Sequence, residues 1–335
     1  MTLRVAVVGL GQMGILHAAV TNALPGYSIV AICDKDSRLT RLVASAIPSI
    51  KFYAEISEMC DEEKPDVIYV CTPTFSHFEL LMELSEYRPK GVFVEKPLGM
   101  NYSESEQIVS AYQGLQTVTM VGFQKRFNGV FSKARELVQG GALGRLLFFR
   151  AHHFISDNYG GGSNWKFKRG TGGVTLEFAP HILDMVQWFF GEPTKVTSET
   201  RSLFSAEVDD YMHVALEYDS GLIGQVDACW SMRNYTPGEF MVEVHGETGM
   251  LSANEDRLVI DTQGNGEAST HGVEMIPAAS LTPPLPFLVA SPENVLQDVH
   301  FLSRTVTGTP SLTSFADACK VNKLIERILG GAGNV

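Results

Sequence analysis

The first third of the chain alternates short apolar runs with stretches in which apolar residues recur at helical spacing. The runs are apolar at almost every position, which is typical of parallel strands covered on both faces. Strands are predicted at Arg4–Val8, Ser28–Cys33, Val67–Cys71, Gly91–Val94 and Thr117–Val121. Helices are predicted over 14–24, 36–46, 55–60, 76–86 and 101–113. This alternation indicates a doubly wound α/β domain over residues 1–122.

The pattern changes after residue 122. Residues 130–139 predict a helix, 145–154 a strand, and 174–190 a single, strongly apolar helix. Strand-like alternation with glycine turns then runs from 194 to 262, for example over Val208–Tyr218, Leu222–Trp230 and Glu239–His245. An extended proline-rich segment, 282–292, precedes two predicted helices, 293–307 and 314–329. We therefore expect residues 123–335 to form an α+β domain with a large, mainly antiparallel open sheet. Its C-terminal segment is the part that could pack back on the first domain.

The composition is that of an ordinary globular protein, with 44% hydrophobic and 19% charged residues among 335. No apolar run approaches the ~18 residues that a membrane span needs, and we expect no signal peptide before the first strand. The five cysteines, at 33, 60, 71, 229 and 319, lack the spacing of a disulfide framework or a zinc site. These features predict a cytoplasmic protein without a membrane partner.

The net charge of −12 at pH 7 argues against nucleic acid as a partner. Residues 125–169 differ from the rest of the chain, since they carry 9 basic and only 2 acidic side chains. A basic segment in an acidic protein predicts a local anion site. That site would serve an anionic group of a substrate or the pyrophosphate of a cofactor. A basic surface helix is the alternative interpretation.

A glycine-rich turn, GLGQMG over residues 9–14, follows the first strand and opens the first helix. Gly9 permits the tight turn, Gly11 lets a pyrophosphate approach the backbone, and Gly14 lets the helix pack closely on the strand. Asp34 falls 20 residues after Gly14, where a carboxylate holds the hydroxyls of the adenosine ribose. This motif predicts a Rossmann domain that binds NAD, with NADP as the alternative. The contacts predicted here are Gly9, Gly11, Gln12, Met13, Gly14, Asp34 and Lys35.

Two further motifs stand at the carboxyl ends of predicted strands, where ligands bind in open parallel sheets. Cys-Thr-Pro-Thr, residues 71–74, ends one strand, and Glu-Lys-Pro, residues 95–97, ends the next. Both motifs should border the cofactor, although a solvated surface pair is the alternative interpretation of the Glu-Lys pair. The cofactor contacts predicted from this edge are Thr72, Pro73, His77, Glu95, Lys96 and Gln124.

Together these motifs resemble those of the glucose–fructose oxidoreductase, inositol dehydrogenase and rhizopine-catabolism (Gfo/Idh/MocA) family. The resemblance rests on GLGQMG, AICD, VCTPTFSH, VEKPLG, VGFQKRFN and GGVTLEFAPHILDMVQWFFG, and it extends over essentially the whole chain. It implies NAD(P)-linked oxidation or reduction of a sugar, a polyol or a related hydroxy or keto compound. It also implies that Lys96 is the catalytic lysine and that His181 is the acid/base. The family commonly has aspartate four residues before that histidine, whereas this chain has Glu177.

The apolar helix predicted over 174–190 carries Glu177, His181 and Asp184 on one stripe. Polar groups in such a setting are costly without partners. We therefore predict that Glu177 and His181 act in catalysis with Lys96. For Asp184, a structural role as the partner that orients a neighbouring group is an equal alternative.

A metal site is a further interpretation of the same helix. Glu177, His181 and either His152 or His153 are residue types that ligate metals. Their spacing lacks a zinc signature such as HExxH. We therefore expect no metal.

The basic segment and the glycine-rich loop that follows it supply further substrate candidates. An aromatic ring in such a loop can stack on a sugar, which makes Trp165 the leading candidate. Packing within the loop is the alternative for each of them. With Lys96, Glu177 and His181, the predicted substrate contacts are Arg126, Asn128, Tyr159, Asn164, Trp165 and Lys166.

The predicted function is hydride transfer between nicotinamide and a secondary alcohol or ketone of a sugar, polyol or sugar derivative. In the oxidative direction His181 takes the hydroxyl proton and Lys96 stabilises the developing alkoxide, while Glu177 holds His181 or a substrate hydroxyl. Two alternatives stay open. One is a hydrolase or epimerase that uses tightly bound NAD transiently on a sugar, and the other is a non-catalytic NAD-binding sensor. The segment 194–262 contains more apolar residues than one covered face of a sheet requires. This excess predicts that the other face is covered in a homodimer or homotetramer.

Overall fold

A computed structural model describes residues 2–36, 49–156, 164–263, 271–285 and 287–331. The chain forms two compact units, Met1–Gln124 with Leu285–Asn322, and Lys125–Pro284 with Lys323–Val335. The sequence placed the boundary after residue 122 and assigned the remainder to the second domain, with the C-terminal segment as the part that could pack back on the first. In the structure the segment from Leu285 to Asn322 belongs to the first unit.

The first unit contains a six-stranded parallel sheet whose central strands are apolar and mostly buried. Its strands are β1 (Leu3–Val8), β2 (Tyr27–Cys33), β3 (Lys51–Tyr53), β4 (Val67–Val70), β5 (Gly91–Val94) and β6 (Val118–Val121). They pair in the order β3-β2-β1-β4-β5-β6. Five of these were predicted within two residues of their ends. The edge strand β3 was missed, because three residues are too few to show a period.

Four helices connect these strands in the part of the first unit that the structure describes between residues 2 and 121. They are α1 (Gln12–Ala23), α2 (Ile56–Glu63), α3 (His77–Tyr87) and α4 (Tyr102–Tyr112). Each matches a predicted helix within a few residues. The helix predicted over 36–46 falls almost wholly on residues 37–48, which lie outside the described residues.

The second unit is built on an eight-stranded sheet in which polar and apolar positions alternate. Its strands are β7 (Leu146–Phe154), β8 (Lys195–Arg201), β9 (Tyr211–Glu217), β10 (Ile223–Cys229), β11 (Glu239–Gly246), β12 (Gly249–Asn254), β13 (Arg257–Gln263) and β14 (His271–Pro277). The strand order is β14-β13-β12-β11-β7-β10-β9-β8, and β7 with β10 is the one parallel pair between these strands. The structure thus confirms the predicted fold class, a parallel α/β domain followed by an α+β domain with a mainly antiparallel open sheet.

One face of this sheet is covered by helices of the same unit, α5 (Gly129–Gln139), α6 (Val174–Glu177) and α7 (Pro180–Phe190). A one-turn helix, α8 (Ala278–Leu281), follows β14. The prediction of one continuous helix over 174–190 is wrong. The N–H groups of Phe178 and Ala179 both donate to the carbonyl oxygen of Val174, at 3.0 and 2.8 Å, which closes α6. Pro180 lacks an N–H group and begins α7 instead.

The last two helices are α9 (Pro292–Thr307) and α10 (Phe315–Gly331). In the first unit α9 packs against α1, β5 and β6. The ring of Phe301 on α9 lies 5.3 Å from that of Tyr69 and 5.7 Å from that of Phe93. This aromatic cluster places the centre of the first unit's core beneath α9. Across the described residues, no helix has the length and apolar character that crossing a bilayer requires.

Candidate active site

The glycine turn between β1 and α1 has the geometry that its motif predicted. Gly9 adopts a φ of +93°, and a Cβ atom there would lie 2.8 Å from the carbonyl oxygen of Cys71. A Cβ atom on Gly14 would lie 1.9 Å from the carbonyl oxygen of Gly9, so the first turn of α1 packs directly on the end of the strand. Glycine is therefore required at both positions.

The amino-terminal end of α1 fits an anion. Among the described residues, no side chain caps this helix and no acidic group lies in its first turn. A Cβ atom on Gly11 would meet none of the described atoms within 4 Å. Gln12 is exposed and Met13 is half-buried beside it. The backbone N–H groups and the positive end of the helix dipole therefore suit the pyrophosphate of a dinucleotide.

Asp34 ties the end of β2 to the glycine turn. Its Oδ2 atom accepts a hydrogen bond from the N–H of Leu10 at 2.6 Å, and its Oδ1 atom accepts one from the N–H of Asp36 at 2.7 Å. A carboxylate has about four acceptor positions, so two bonds to the backbone leave capacity for ribose hydroxyls. Asp34 is half-buried and Lys35 is exposed. This position is the one at which the sequence predicted ribose recognition.

His77 links the two motifs at the carboxyl ends of β4 and β5. It is fully buried, and its Nδ1 and Nε2 atoms lie 2.9 Å from the carbonyl oxygen of Pro97 and 3.0 Å from that of Thr72. Burial lowers the pKa of His77 below its ordinary value. The sequence predicted a contact between this ring and the cofactor, whereas the structure shows it engaged with the backbone. Thr72 and Pro73 themselves are half-buried at the strand end.

Lys96 is half-buried and directly follows Glu95 at the end of β5. The N–H of Glu95 donates to the carbonyl oxygen of Val70 on β4 at 2.9 Å. Its Oε1 atom lies 3.1 Å from Nε2 of His17, a buried residue of α1 that sequence reasoning missed. Gln124 is half-buried at the start of a 3₁₀ turn after β6. Lys96 thus directly follows Glu95, a residue whose backbone and side chain are both held by neighbouring elements.

In the second unit, the break before Pro180 places Glu177 and His181 on different helices. Glu177 is 7% exposed and ends α6, whereas His181 is half-buried on α7. Asp209 fixes the start of α6, because its Oδ2 atom accepts hydrogen bonds from the N–H and the hydroxyl of Thr175, at 2.9 and 2.6 Å. Burial raises the pKa of Asp209. Glu177 and His181 therefore lie on either side of a helix junction, and not on one face of a continuous helix as expected.

His153 on β7 lies beside this junction. Its ring is stacked on that of Phe178 with centroids 3.7 Å apart, and it lies 6.2 Å from the ring of His181. The sequence had named His153 only as an alternative metal ligand, together with His152. His152 instead contacts Glu239, with 2.7 Å between Nε2 and Oε2. Within the described part of the chain, no group of three or more His, Cys, Asp or Glu residues is arranged to hold a metal ion.

Arg126 and Asp184 form a buried ion pair. The guanidinium Nε and Nη2 atoms donate to the two carboxylate oxygens at 2.9 and 2.6 Å, and the two residues are 5% and 1% exposed. The guanidinium also lies 5.4 Å from the ring centroid of Trp188. Asp184 therefore fits the alternative in which it orients a neighbouring group. Arg126, a predicted substrate contact, has its bidentate face occupied by Asp184.

The other predicted substrate contacts are spread over loops and caps. Asn164 caps a 3₁₀ turn by accepting from the N–H of Lys166 at 3.3 Å. Trp165 is half-buried, and its carbonyl oxygen accepts from the hydroxyl of Thr171 at 2.9 Å. Tyr159 lies outside the described residues. The side chain of Asn128 accepts from the N–H of Val130 at 2.9 Å and caps α5.

Most of the basic residues between 125 and 169 have acidic partners. Such pairing gives the local charge excess a structural explanation that the sequence did not reveal. The pairs are Lys125 with Glu255, Arg126 with Asp184, Lys133 with Glu136, Arg145 with Glu247 and Lys168 with Glu207.

Comparison with known proteins gives two matching family models. A model described as an oxidoreductase family with an NAD-binding Rossmann fold matches residues 3–123. The model of the GFO/IDH/MocA C-terminal domain matches residues 131–252. Together they span the glycine turn, the Glu-Lys-Pro turn and both Glu177 and His181.

Similar proteins match most of this chain, and one solved structure has the same fold. The chain is 26% identical to myo-inositol 2-dehydrogenase of Thermotoga maritima over 273 residues, which are 78% of this chain and 80% of that protein. It is 25% identical to D-apiose dehydrogenase of Paraburkholderia graminis over 330 residues, 96% and 85% of the two chains. Among solved structures, levoglucosan dehydrogenase in complex with NADH and levoglucosan superposes with a TM-score of 0.89 at 21% identity, over 99% of this chain and 97% of that one.

These matches confirm the resemblance that the sequence motifs indicated. The Rossmann model covers the uncapped helix end and Asp34, the features that suit a dinucleotide. The two models fall on the two sheets of the structure. The chain therefore belongs to the GFO/IDH/MocA family of oxidoreductases, and its first unit is an NAD-binding Rossmann domain.

Proposed function

We propose that the protein is an NAD-dependent dehydrogenase or reductase that acts on a secondary alcohol or ketone of a sugar or polyol. The observation that carries the proposal is the position of Lys96. It lies at the carboxyl end of β5, and β4 alone separates β5 from β1 and its glycine turn. Ligands of open parallel sheets bind at this edge. A lysine there suits a reacting oxygen next to the nicotinamide.

Each proposed catalytic residue has one task. In oxidation His181 accepts the hydroxyl proton of the substrate, and in reduction it returns that proton. The ammonium of Lys96 donates a hydrogen bond to the same oxygen and stabilises its developing charge. Glu177 orients His181 or binds a neighbouring substrate hydroxyl. Bound NAD would supply the hydride chemistry, which these side chains do not provide.

The substrate class follows from the relatives. Proteins 26% and 25% identical to this chain are named myo-inositol 2-dehydrogenase and D-apiose dehydrogenase. Their substrates are compact and carry several hydroxyl groups. The acidic partners of several basic residues weaken the sequence argument for an anionic substrate. We therefore propose neutral polyols and sugars, rather than their phosphates, as substrates.

The test is a panel of myo-inositol, scyllo-inositol, D-apiose and levoglucosan with NAD or NADP, followed by absorbance of the reduced cofactor at 340 nm. Reduction of NAD by at least one neutral member supports the proposal. Substrate conversion without net NADH would identify instead a hydrolase or epimerase that recycles its cofactor. NAD binding by calorimetry without conversion of any member would favour an NAD-binding sensor.

We further infer that two or four copies assemble through the uncovered face of the second unit's sheet. Several apolar side chains on β10 and β14 are strongly exposed, at 56% for Ile223, 71% for Val273 and 60% for Met275. Val273 and Met275 stand two positions apart on one edge strand and therefore share a face, and neighbouring exposed apolar groups are typical of interaction surfaces. Light scattering at micromolar concentration should give a dimer or tetramer. A monomer would rule out this assembly, and Val273→Glu with Met275→Glu should weaken it.

A further inference from the structure

A buried charged cluster lies beneath the Glu-Lys-Pro turn of the first unit. His17 projects from α1 into the core and is completely buried, as is Asp298 of α9. The Nδ1 atom of His17 lies 2.8 and 2.9 Å from the two carboxylate oxygens of Asp298. Its Nε2 atom lies 3.1 Å from Oε1 of Glu95. One imidazole thus joins two carboxylates from distant parts of the chain.

The geometry and the neighbouring charges favour the protonated form of this imidazole. Ionised carboxylates only accept hydrogen bonds, so a ring between two of them must donate from both nitrogen atoms. Burial alone would lower the pKa of His17, but Asp298 and then Glu95 outweigh it and raise the pKa to about 10. The ring is also stacked on that of Tyr69, with centroids 5.1 Å apart. Burial raises the pKa of Asp298, whereas the contact with His17 lowers it. The contacts favour a carboxylate–imidazolium–carboxylate chain at neutral pH.

The cluster is directed toward the edge of the sheet where Lys96 lies. The Glu95 side chain is 13% exposed, whereas His17 and Asp298 have no exposure. Gly122 leaves room for Glu95, since a Cβ atom there would lie 3.0 Å from its Oε2 atom. His17 thus contacts Glu95 from the buried side, and Lys96 is the next residue in the chain.

We propose that His17 and Asp298 are positioning residues for the reaction, because they hold Glu95 in place and thereby set the position of Lys96. This inference rests on the proposed function. The imidazolium also offsets the charge of Glu95, which weakens the pull of that carboxylate on the neighbouring Lys96 ammonium. Asp298 fixes the ring of His17 and keeps Nε2 directed at Glu95.

A buried ion pair is weak evidence for a role in stability alone. Replacement of such a pair by well-packed apolar groups is often neutral or stabilising. The surroundings of His17 are aromatic, with Phe93 at 4.7 Å and Tyr69 at 5.1 Å between ring centroids, and they would accept an apolar side chain. The cluster of Asp298, His17 and Glu95 instead ends at the residue before Lys96. Its arrangement therefore suits the positioning of that turn.

Two substitutions of His17 separate its two contacts. In His17→Gln the amide nitrogen stands close to the position of Nε2 and can still donate to Glu95. In His17→Asn the amide nitrogen stands close to Nδ1 and can still donate only to Asp298. We expect His17→Asn to lower kcat at least tenfold on the polyol that the wild type oxidises, with KM for NAD changed less than twofold. We expect His17→Gln to retain more of kcat than His17→Asn.

His300→Asn is the matched control, because it replaces another histidine of α9 two positions from Asp298. Its Nε2 atom accepts from the N–H of Leu312 at 3.0 Å, away from the Glu-Lys-Pro turn. A similar fall of kcat in this control and in His17→Asn would overturn the proposal. Equal kcat values for His17→Asn and His17→Gln would also overturn it, because the contact with Glu95 would then have no effect.

A readout without substrate separates this inference from the proposed function. Brief acetylation with acetic anhydride, quantified by mass spectrometry, reports the reactivity of Lys96 in the NAD complex. We expect His17→Asn and Asp298→Asn to change this rate at least threefold and His300→Asn to leave it unchanged. If the wild type oxidises no polyol, the proposed function fails. The acetylation rate of Lys96 then decides by itself whether His17 and Asp298 position this lysine. An unchanged rate refutes the positioning role.

The protonation state can be tested in the wild type, even if the variants do not fold. Nitrogen-15 spectra of histidine-labelled protein should show both ring nitrogens of His17 protonated at pH 8. A neutral His17 ring at that pH would contradict the proposed carboxylate–imidazolium–carboxylate chain.

Discussion

Two histidines of the first unit and two of the second have contrasting environments. In the first unit His17 and His77 are completely buried, and both nitrogens of each ring lie within about 3 Å of an oxygen atom of the same unit. In the second unit His153 and His181 are half-buried and lie 6.2 Å apart at the junction of two helices. Nitrogens engaged inside the core have no contact with a substrate. A partly exposed ring can meet one.

This difference separates positioning from proton transfer. His17 and His77 hold the backbone and side chains around the Glu-Lys-Pro turn, and their environments move their pKa values in opposite directions, up for His17 and down for His77. A general base must exchange its proton during each turnover near the working pH. His181 is the histidine of the proposed site that suits this task.

The largest expected effect comes from removal of the proposed catalytic groups. His181→Ala and Lys96→Ala should each lower kcat by about 10²-fold or more, the range typical of lost acid–base catalysis. NAD affinity, measured by quenching of protein fluorescence, should change little. A near-normal kcat in His181→Ala would remove the distinction between the two classes of histidine.

Glu177 tests whether a carboxylate at the helix junction assists His181. Glu177→Ala should lower kcat by about tenfold, the loss expected for one hydrogen bond to a charged group. Glu177→Asp restores the residue common in the family and should keep partial activity. Thermal unfolding of both variants is the control, because α6 is fixed by Thr175 and Asp209 independently of this side chain. Equal activity of the alanine variant and wild type would exclude Glu177 from the site.

Asp34 combines the two roles that the histidines separate. Its carboxylate accepts a hydrogen bond from the backbone and also makes the proposed contact with the ribose. Asp34→Ser should lower the ratio of kcat/KM for NAD over NADP about tenfold, because a carboxylate repels the 2′-phosphate. Asp34→Asn is the matched variant, as its amide oxygen can keep the bond from the N–H of Leu10. Preference of the wild type for NADP would contradict the assignment.

The last prediction concerns the pH dependence of stability and not a rate. Between pH 7 and pH 10 the unfolded chain has lost the proton of His17 while the folded chain keeps it, since its pKa is raised to about 10. The free energy of unfolding should therefore fall as pH rises, by about 1.4 kcal/mol per unit from this group. Urea unfolding should show this slope in wild type and in His300→Asn. The double variant His17→Asn, Asp298→Asn should lose it.

The fold was predictable where local pattern determines it. Continuous apolar runs predicted five strands of the first sheet, and the glycine turn predicted the dinucleotide site. The break before Pro180 was missed, because the apolar pattern continues across it. Proline inside a helical pattern was the available signal.

The cluster at His17 was missed for a different reason. Its partner Asp298 is 281 residues away in sequence, and no local pattern links positions at that distance. A histidine on the buried face of α1 was the available signal. The pairing of Arg126 with Asp184 was equally hidden, so the sequence left the basic segment open between an anion site and a basic surface helix.

The account is tested most directly by the pH dependence of kcat for polyol oxidation with NAD, compared between wild type and His181→Ala. It predicts that kcat of the wild type rises with pH through one ionisation, as the general base loses its proton. It predicts that this rise disappears in His181→Ala, while the His17 environment, followed by nitrogen-15 spectra, stays unchanged. An unchanged rise in His181→Ala would contradict the account, because another group would then be the base.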